Sequence, residues 1–276
     1  MPLGDGLKVR FWGVRGSISC SGAEYTRYGG NTSCLEVTAG GRRLIFDAGT
    51  GIRPLGVDLV RQTPIDIDIY FTHTHLDHIS GLTFFSPLFG KGNAVRLWAG
   101  HLEPPYTLKN VVSNLMKAPL YPVSLEVFQA RVEFKEFKSG QQLACGEMAM
   151  RTAPLNHPNG ATGYRVEFGG KSICYITDTE HREGGLDKTI VELCRGADLM
   201  IYDSSYTDEE YPRYKGWGHS TWQEGVRLCR EAGAKRMVVF HHDPDHDDEM
   251  LDGIAREVQK ALPGSVVAHE GLVLEP

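Results

Sequence analysis

The sequence lacks any apolar run that approaches the roughly 20 residues a membrane-spanning helix requires. It does not begin with a basic segment followed by an apolar one, which is how a secretory signal begins. Its six cysteines are scattered without CxxC spacing, and most lie in apolar strand or helix patterns, as reduced cysteines of a core do. These absences predict a soluble cytoplasmic protein without a membrane partner.

An excess of positive charge is also missing. The net charge is −6 and the pI is about 6.0, so no overall basic field attracts a polyanion. Local basic residues such as Arg15, Arg27 and Arg53 could still guide one, and a nucleic-acid substrate is therefore less favoured but not excluded. With 276 residues, 41% of them hydrophobic and 23% charged, the chain can bury a large core. We predict a single domain over residues 1–276.

The strongest chemical signal is the segment THTHLDHISGL at residues 72–82, which directly follows an apolar, alternating run. Its ligand-type residues are His73, His75, Asp77 and His78. Residues two apart on a strand point to the same side, so His73 and His75 can hold one ion while the later pair faces a second. A lone histidine at a strand end is more often solvated or hydrogen-bonded in a loop. Four ligand-type residues at this spacing favour a metal site.

The motif HxHxDH after an apolar strand, followed by a glycine-containing helix start, resembles the metallo-β-lactamase superfamily. The resemblance implies an α/β fold, specifically an αβ/βα four-layer sandwich with the metals at one edge. Members include β-lactamases, glyoxalase II, flavodiiron proteins, ribonuclease Z and small phosphodiesterases, so the motif says little about substrate. Flavodiiron proteins have Glu where His75 stands, which argues against an oxygen-reducing di-iron centre.

The resemblance also implies further ligands at the ends of later strands. These are His157, Asp178 and His241. The first site would contain His73, His75 and His157, the second would contain Asp77, His78 and His241, and Asp178 would bridge them. We choose His241 over the adjacent His242 because it directly follows the predicted strand. Imidazole and carboxylate ligands without thiolate suit two Zn²⁺ ions, with Mn²⁺ or Fe²⁺ as alternatives.

Asp47 follows another predicted strand, in the segment DAGTG. In the superfamily an aspartate at this point lies beside the metal site, which implies a hydrogen bond to a ligand histidine or to loop backbone. The alternative is a turn aspartate that bonds its own backbone.

The segment GHST, a helix containing EAGAKR, an apolar strand and a terminal histidine together resemble ribonuclease Z and its small phosphodiesterase relatives. Ser220 with Gln223, or Thr221 with Glu224, would form a capping box, so His219 precedes a helix. The relatives carry an acidic residue that orients this histidine. Asp203 stands there, although ribonuclease Z usually has Glu. The resemblance implies that His219, oriented by Asp203, protonates the departing alkoxide.

Asp77 is counted with His219 and Asp203 among the catalytic candidates as well as among the ligands. His181 is either a substrate contact or an exposed loop histidine, and the second reading is favoured. The loop-rich residues 118–130 are a candidate wall over the site.

The leading hypothesis is a dinuclear metal-dependent phosphodiesterase that hydrolyses a small or cyclic phosphodiester, such as a cyclic nucleotide, with a metal-bridging hydroxide as nucleophile. The segments GVRGS and GGNTSC resemble the small phosphodiesterase branch. No basic Gly/Pro-rich insertion of the kind with which ribonuclease Z grips tRNA lies between the HxHxDH motif and His157.

The alternatives are a ribonuclease Z-like RNA 3′-processing endonuclease, and a β-lactam or thioester hydrolase in which His219 has no obvious task. A non-catalytic regulatory protein would lack ligands, and none is missing. Dimers are common among the relatives, so a homodimer is a further alternative to a monomer.

Overall fold

The computed structural model describes residues 6–62 and 64–276. Its strands are β1 (Lys8–Gly13), β2 (Cys34–Ala39), β3 (Arg42–Phe46), β4 (Asp66–Phe71), β5 (Ala94–Ala99), β6 (Arg131–Glu136), β7 (Gln142–Cys145), β8 (Met148–Leu155), β9 (Ala161–Phe168), β10 (Lys171–Ile176), β11 (Leu199–Asp203), β12 (Met237–Phe240), β13 (Val266–Val267) and β14 (Val273–Leu274).

Its α-helices are α1 (Ile52–Leu59), α2 (Leu76–Ile79), α3 (Leu108–Leu115), α4 (Lys188–Leu193), α5 (Tyr211–Tyr214), α6 (Trp222–Ala232) and α7 (Asp248–Ala261). Short 3₁₀ helices cover Ala23–Tyr25, Val60–Gln62, Ser80–Phe84, Ser86–Phe89 and Leu125–Val127.

The strands form two seven-stranded sheets, in the orders β14-β1-β2-β3-β4-β5-β6 and β13-β12-β11-β10-β9-β8-β7. Each sheet is mixed: some neighbouring strands pair antiparallel as hairpins, and the strands next to them pair parallel. The parallel strands β11 and β12 are buried along their whole length, because both faces of a parallel sheet are covered.

Three buried clusters define the layers. The central cluster packs one sheet against the other and includes Phe11, Phe46, Tyr164 and Phe240. A second cluster joins the outer face of the first sheet to α1 and α3, and a third joins the outer face of the second sheet to α4, α6 and α7. This arrangement confirms the αβ/βα four-layer sandwich.

Two local patterns of the sequence predict elements that the structure does not contain: apolar residues predict a short helix over residues 79–89 and a closing strand over residues 266–274. The predicted helix is replaced by α2 and two 3₁₀ turns, and the second residue of the second turn is Pro87, which has no backbone N–H to donate. The predicted strand over residues 266–274 is divided into two. β13 is an edge strand of one sheet, and β14 is an edge strand of the other. Between them Gly271 has φ +84°, a left-handed conformation that breaks an extended strand.

All six cysteines are unpaired, and five of them are buried. Over the described residues we find no helix with the length and apolar character needed to cross a bilayer.

Candidate metal centre

The candidate site lies where several strands end at one edge of the sandwich. Asp47 directly follows β3, and His241 directly follows β12. One residue separates His73 from β4, His157 from β8 and Asp178 from β10. In open α/β sheets, the carboxyl ends of the strands are where ligands bind, since side chains from different strands converge there.

The three histidines of the first predicted site come together. The Nε2 atom of His157 lies 3.1 Å from Nδ1 of His75, and the His73 ring packs against both at centroid distances of 4.7 and 4.4 Å. Suitable ligand atoms of all three lie within 4.8 Å of one another. His73 is buried, whereas His75 and His157 are partly exposed.

The second predicted site is also assembled, and all of its residues are buried. It contains Asp77, His78, Asp178 and His241. The Nε2 atoms of His78 and His241 are 3.2 Å apart, and Oδ2 of Asp77 lies 3.3 Å from each of them. Asp178 reaches both groups, with Oδ2 3.1 Å from His78 and Oδ1 3.7 Å from His73 and from His157.

These side chains fit divalent cations. His78 donates from Nδ1 to Asp47, and His157 donates from Nδ1 to the carbonyl oxygen of Gly218. His241 Nδ1 lies 3.1 Å from the Ser205 hydroxyl. Because the outer nitrogens are held in this way, the inner nitrogens face one another and can ligate an ion once they are deprotonated, as in metal-binding histidines. His73 Nε2 is buried without a hydrogen-bond partner among the described residues, as expected of a nitrogen that binds an ion.

The electrostatics agree with a cation site. Burial raises the pKa of a carboxyl group, yet His241 and His78 hold the pKa of Asp178 well below its usual range. Burial and the neighbouring His78 lower the pKa of His73. Both side chains therefore favour their deprotonated forms, which are the forms that ligate metals.

His219 and Asp203 form a pair beside the two groups, and the ligand atoms of His219 also lie within 4.8 Å of those of His157 and Asp178, and of those of Asp203 and His241. Nδ1 of His219 lies 3.0 Å from Oδ2 of Asp203, and the His219 ring stacks on His241 at 4.9 Å. Burial opposes the charged imidazole, but Asp203 raises the pKa of His219 to about 9. None of the described residues hydrogen-bonds Nε2 of His219, which leaves this nitrogen free for a substrate.

Comparison with known proteins identifies the family. A sequence model of a protein family, described as the Beta-lactamase superfamily domain, matches residues 42–242. This chain belongs to the metallo-β-lactamase superfamily. Ribonuclease Z of Gemmatimonas aurantiaca is 24% identical over an alignment that covers 88% of this chain and 90% of that protein.

Two solved structures share the fold over nearly the whole chain. The metallo-β-lactamase fold protein YhfI from Bacillus subtilis has a TM-score of 0.74 and 18% identity, and the alignment covers 99% of this chain and 100% of that one. A diphosphatase from the PhnP family has a TM-score of 0.71 and 22% identity, with 98% of each chain covered. At these identities the likeness establishes the fold alone.

The structure separates the two adjacent histidines of this superfamily member. His241 has φ +63°, and its ring points into the site. Gly16 packs so closely on the His241 ring that a Cβ atom there would collide with it. His242 is buried on another side of the strand end, where its Nε2 lies 2.8 Å from the carbonyl oxygen of Ala268. His241 therefore faces the other ligand-type side chains, and His242 does not.

The other predicted side chains have these positions. Asp47 hydrogen-bonds His78 and Thr72, so its carboxylate stabilises more than the turn in which it lies. Thr221, not Ser220, caps α6 by accepting from the backbone N–H of Glu224. His181 is half-buried and stacks on Tyr211 at 4.1 Å, outside the ligand groups.

Several residues that position the site were missed. The carboxylate of Glu180 accepts hydrogen bonds from the N–H groups of Gly216 and Gly218 and from the hydroxyl of Tyr211. It therefore holds the loop that carries both His219 and the carbonyl oxygen bonded to His157. The sequence offered one indication of this role, which is that Glu180 lies two residues after Asp178. Ser17 was also missed, and its N–H donates to Asp77 at 2.7 Å.

The predicted wall was misplaced. Residues 118–130 pack near α3 and the 3₁₀ turns, where Tyr121 donates to the carbonyl oxygen of Thr83 and the N–H of Gln129 to that of Leu88. A different segment, residues 101–106, lines a cavity of about 460 Å³ together with His75 and Asn159. No alternation or helical period marks that segment, which contains two consecutive prolines.

Proposed function

We propose that this chain is a dinuclear metal-dependent phosphodiesterase that hydrolyses a small or cyclic phosphodiester, such as a cyclic nucleotide. The observation that carries the proposal is the His219–Asp203 pair beside two groups of metal-ligand side chains. Hydrolysis of a phosphodiester needs a proton donor for the departing alkoxide, and this pair supplies one. Hydrolysis of a β-lactam or a thioester gives the pair no comparable task.

In this proposal His73, His75 and His157 would hold one ion, and Asp77, His78 and His241 would hold a second. Asp178 lies close enough to both groups to serve either ion. When bound, such ions lower the pKa of water and neutralise charge that develops on phosphoryl oxygens. Zn²⁺ suits the ligand set best, with Mn²⁺ and Fe²⁺ as alternatives.

Residues of the chain itself would supply the proton for the leaving group and position its donor. A pKa of about 9 keeps His219 protonated at neutral pH, so it can donate from Nε2. Asp203 fixes the ring by accepting from Nδ1, and the backbone N–H of Thr179 holds Asp203 in turn at 3.2 Å. General-acid assistance of this kind contributes about 10²- to 10⁴-fold in rate.

Two of the basic residues considered as guides for a polymer are engaged elsewhere. Arg15 is fully buried and donates to the carbonyl oxygens of Gly29, Asp243 and His246. Arg27 pairs with the carboxylates of Asp248 and Asp252. With a net charge of −6, these pairings support a small substrate over a long RNA.

The second candidate function is RNA 3′ processing. It is favoured by the full-length similarity to proteins named ribonuclease Z. That similarity is compatible with either substrate, because both reactions break a phosphodiester bond.

The test is a substrate panel with purified protein loaded with Zn²⁺ or Mn²⁺. The panel contains bis(p-nitrophenyl) phosphate, 3′,5′- and 2′,3′-cyclic nucleotides, a precursor tRNA, a β-lactam and a thioester. We expect turnover of a cyclic nucleotide to a monoester, with a weak salt dependence of kcat/KM. An RNA processor would instead lose affinity steeply with salt, as counterion release requires.

An Asp178→Ala variant, purified identically, controls for contaminating hydrolases. Correct 3′ cleavage of the tRNA with every cyclic nucleotide uncut would establish the second candidate instead. Turnover of the β-lactam or thioester alone would refute both.

A further inference from the structure

A pocket beside the metal centre has no role in the proposed chemistry. This side pocket has a volume of about 460 Å³, within the roughly 300–1,000 Å³ typical of small-molecule sites. Residues that line it include His75, His101, Leu102, Tyr106, Val111 and Asn159.

The pocket adjoins the first ligand group, and His75 belongs to both. His75 uses Nδ1 on the inside, 3.1 Å from His157, while its Nε2 lies 3.3 Å from Nδ2 of Asn159, at the pocket wall. A single imidazole ring therefore separates the pocket from the ligand group. A substituent of a phosphate bound at that group would therefore lie within reach of the pocket.

The lining selects against charged groups. Among its described residues there is no lysine or arginine, and the one charged side chain is the carboxylate of Glu103. A second phosphate, or the backbone of a polynucleotide, would meet a negative charge with no cation to balance it. The pocket therefore suits a neutral substituent.

The lining combines an apolar surface with a few polar groups. Leu102, Pro104 and Val111 provide the apolar part, and the Tyr106 ring is 66% exposed. The polar groups are the amide of Asn159 and the imidazole of His101, whose Nε2 lies 3.1 Å from the Thr74 hydroxyl. An exposed aromatic ring beside hydrogen-bonding groups fits a flat heteroaromatic ring, since bases stack on aromatic faces and bond through their edges.

The pocket wall is held in place at both ends. At one end, the N–H and hydroxyl of Ser139 both donate to the carbonyl oxygen of Gly100. At the other, Glu136 accepts from the N–H of Leu108, and Thr107 caps α3. A wall fixed in this way can bind a ligand without first being ordered.

We propose that the side pocket binds the nucleobase of a small nucleotide whose phosphate lies at the metal centre. This inference rests on the proposed function, because it takes the phosphoryl group to bind at the paired ligand groups. It assigns the specificity of the enzyme to Tyr106, Val111, His101 and Asn159.

Binding of reaction products tests the pocket without turnover. Dissociation constants of AMP, ribose 5-phosphate and inorganic phosphate are measured by calorimetry on the metal-loaded protein. We expect AMP to bind at least about fivefold more tightly than ribose 5-phosphate, because a base stacked on an aromatic ring contributes that much or more. In Tyr106→Ala and Val111→Asp the ratio of the two constants should fall towards one.

Leu120→Ala is the matched control, since Leu120 is 79% exposed and lies outside the pocket, and it should keep the wild-type ratio. Equal binding of AMP and ribose 5-phosphate by a protein that does hydrolyse phosphodiesters would overturn the pocket assignment alone. A base preference that survives both pocket variants would overturn it too. A base preference in a protein that hydrolyses no phosphodiester would support the pocket and refute the proposed function.

Discussion

Replacing Asp47 with asparagine isolates the contribution of a carboxylate that lies outside the ligand groups. Asp47 is fully buried, and Oδ1 accepts from the N–H of Thr72 at 2.7 Å. Oδ2 lies 2.9 Å from both Nδ1 of His78 and the hydroxyl of Tyr175. Asparagine has the same shape and tolerates the φ of +60° found here, so the backbone can remain in place.

The substitution changes the tautomer of His78. If the new amide oxygen accepts from Thr72, its NH₂ group faces Nδ1 of His78, and two donors cannot share one hydrogen bond. His78 then accepts at Nδ1 and carries its proton on Nε2, the nitrogen that faces Asp178 and His241. Loss of such an outer partner lowers metal affinity by about 10- to 100-fold, which corresponds to about 1.4–2.7 kcal/mol.

Two measurements separate this effect from general damage. A competition titration with a chromophoric chelator gives the affinity for each ion, and urea unfolding with excess EDTA gives the stability of the metal-free protein. Asp68→Asn is the matched control. Asp68 is also a buried carboxylate, but it accepts from Arg96 and Trp98 on the first sheet, away from the site.

Each variant leaves a buried donor poorly satisfied, so each should lose about 1–3 kcal/mol of unfolding free energy. Only Asp47→Asn should also weaken metal binding. If both variants lose similar stability and both bind two ions as the wild type does, Asp47 is a structural turn residue and the tautomer argument is wrong.

Three further predictions concern the ions and the proton donor. Elemental analysis should find about two transition-metal ions per chain, and an Asp178→Ala variant with full metal content would contradict the shared carboxylate. His219→Ala should keep its metals. Its kcat should fall about 10²- to 10⁴-fold for substrates with an alkoxide leaving group, but much less for substrates that release p-nitrophenolate. In the wild type, kcat for a substrate with an alkoxide leaving group should decline as the pH rises through about 9, where His219 loses its proton. Glu180→Gln should lower kcat with little change in metal content, because an amide cannot accept from Gly216, Gly218 and Tyr211 at once; Glu183→Gln, in the same loop, is the control.

Much of the fold was predictable because its signals are local. Strand alternation and glycine turns are local signals of two antiparallel hairpins, the one that β2 forms with β3 and the one that β9 forms with β10. The ligand-type residues after strand ends were equally readable, since strands that run the same way deliver their carboxyl ends to one edge. The preference for His241 over His242 needed one further fact, the residue at which β12 ends.

The supports of the site were not predictable, because they are contacts between distant parts of the chain. The hydroxyl of Tyr175 reaches Asp47 across 128 positions, and the N–H of Ser17 reaches Asp77 across 60. Neither periodicity nor spacing encodes such pairs. The same reason explains the misplaced wall: loop composition marked residues 118–130, but only the tertiary fold shows that residues 101–106 line the cavity.

Backbone strain is concentrated at the same place. Within the described part of the chain, the residues other than glycine with positive φ are Ser17, Asp47, Asn159, Asp178 and His241. Every one of them either belongs to the ligand groups or hydrogen-bonds a member of them. Such conformations persist only where the surroundings over-determine them. The strain therefore indicates that the site is held by the fold before any ion binds.

Ser17 permits a test of this argument without altering a ligand. Its side chain is exposed, and at φ +60° its N–H donates to Oδ2 of Asp77. A β-branched side chain is strongly disfavoured at positive φ, at a cost of order 1–3 kcal/mol. Ser17→Val should therefore release the N–H and weaken binding of an ion at the group that contains Asp77 about tenfold. Ser17→Gly should bind it as the wild type does, and so should Ser19→Val, which adds the same bulk where φ is not positive. Equal affinity in Ser17→Val and Ser19→Val, measured by chelator competition, would show that the strained backbone does not position Asp77.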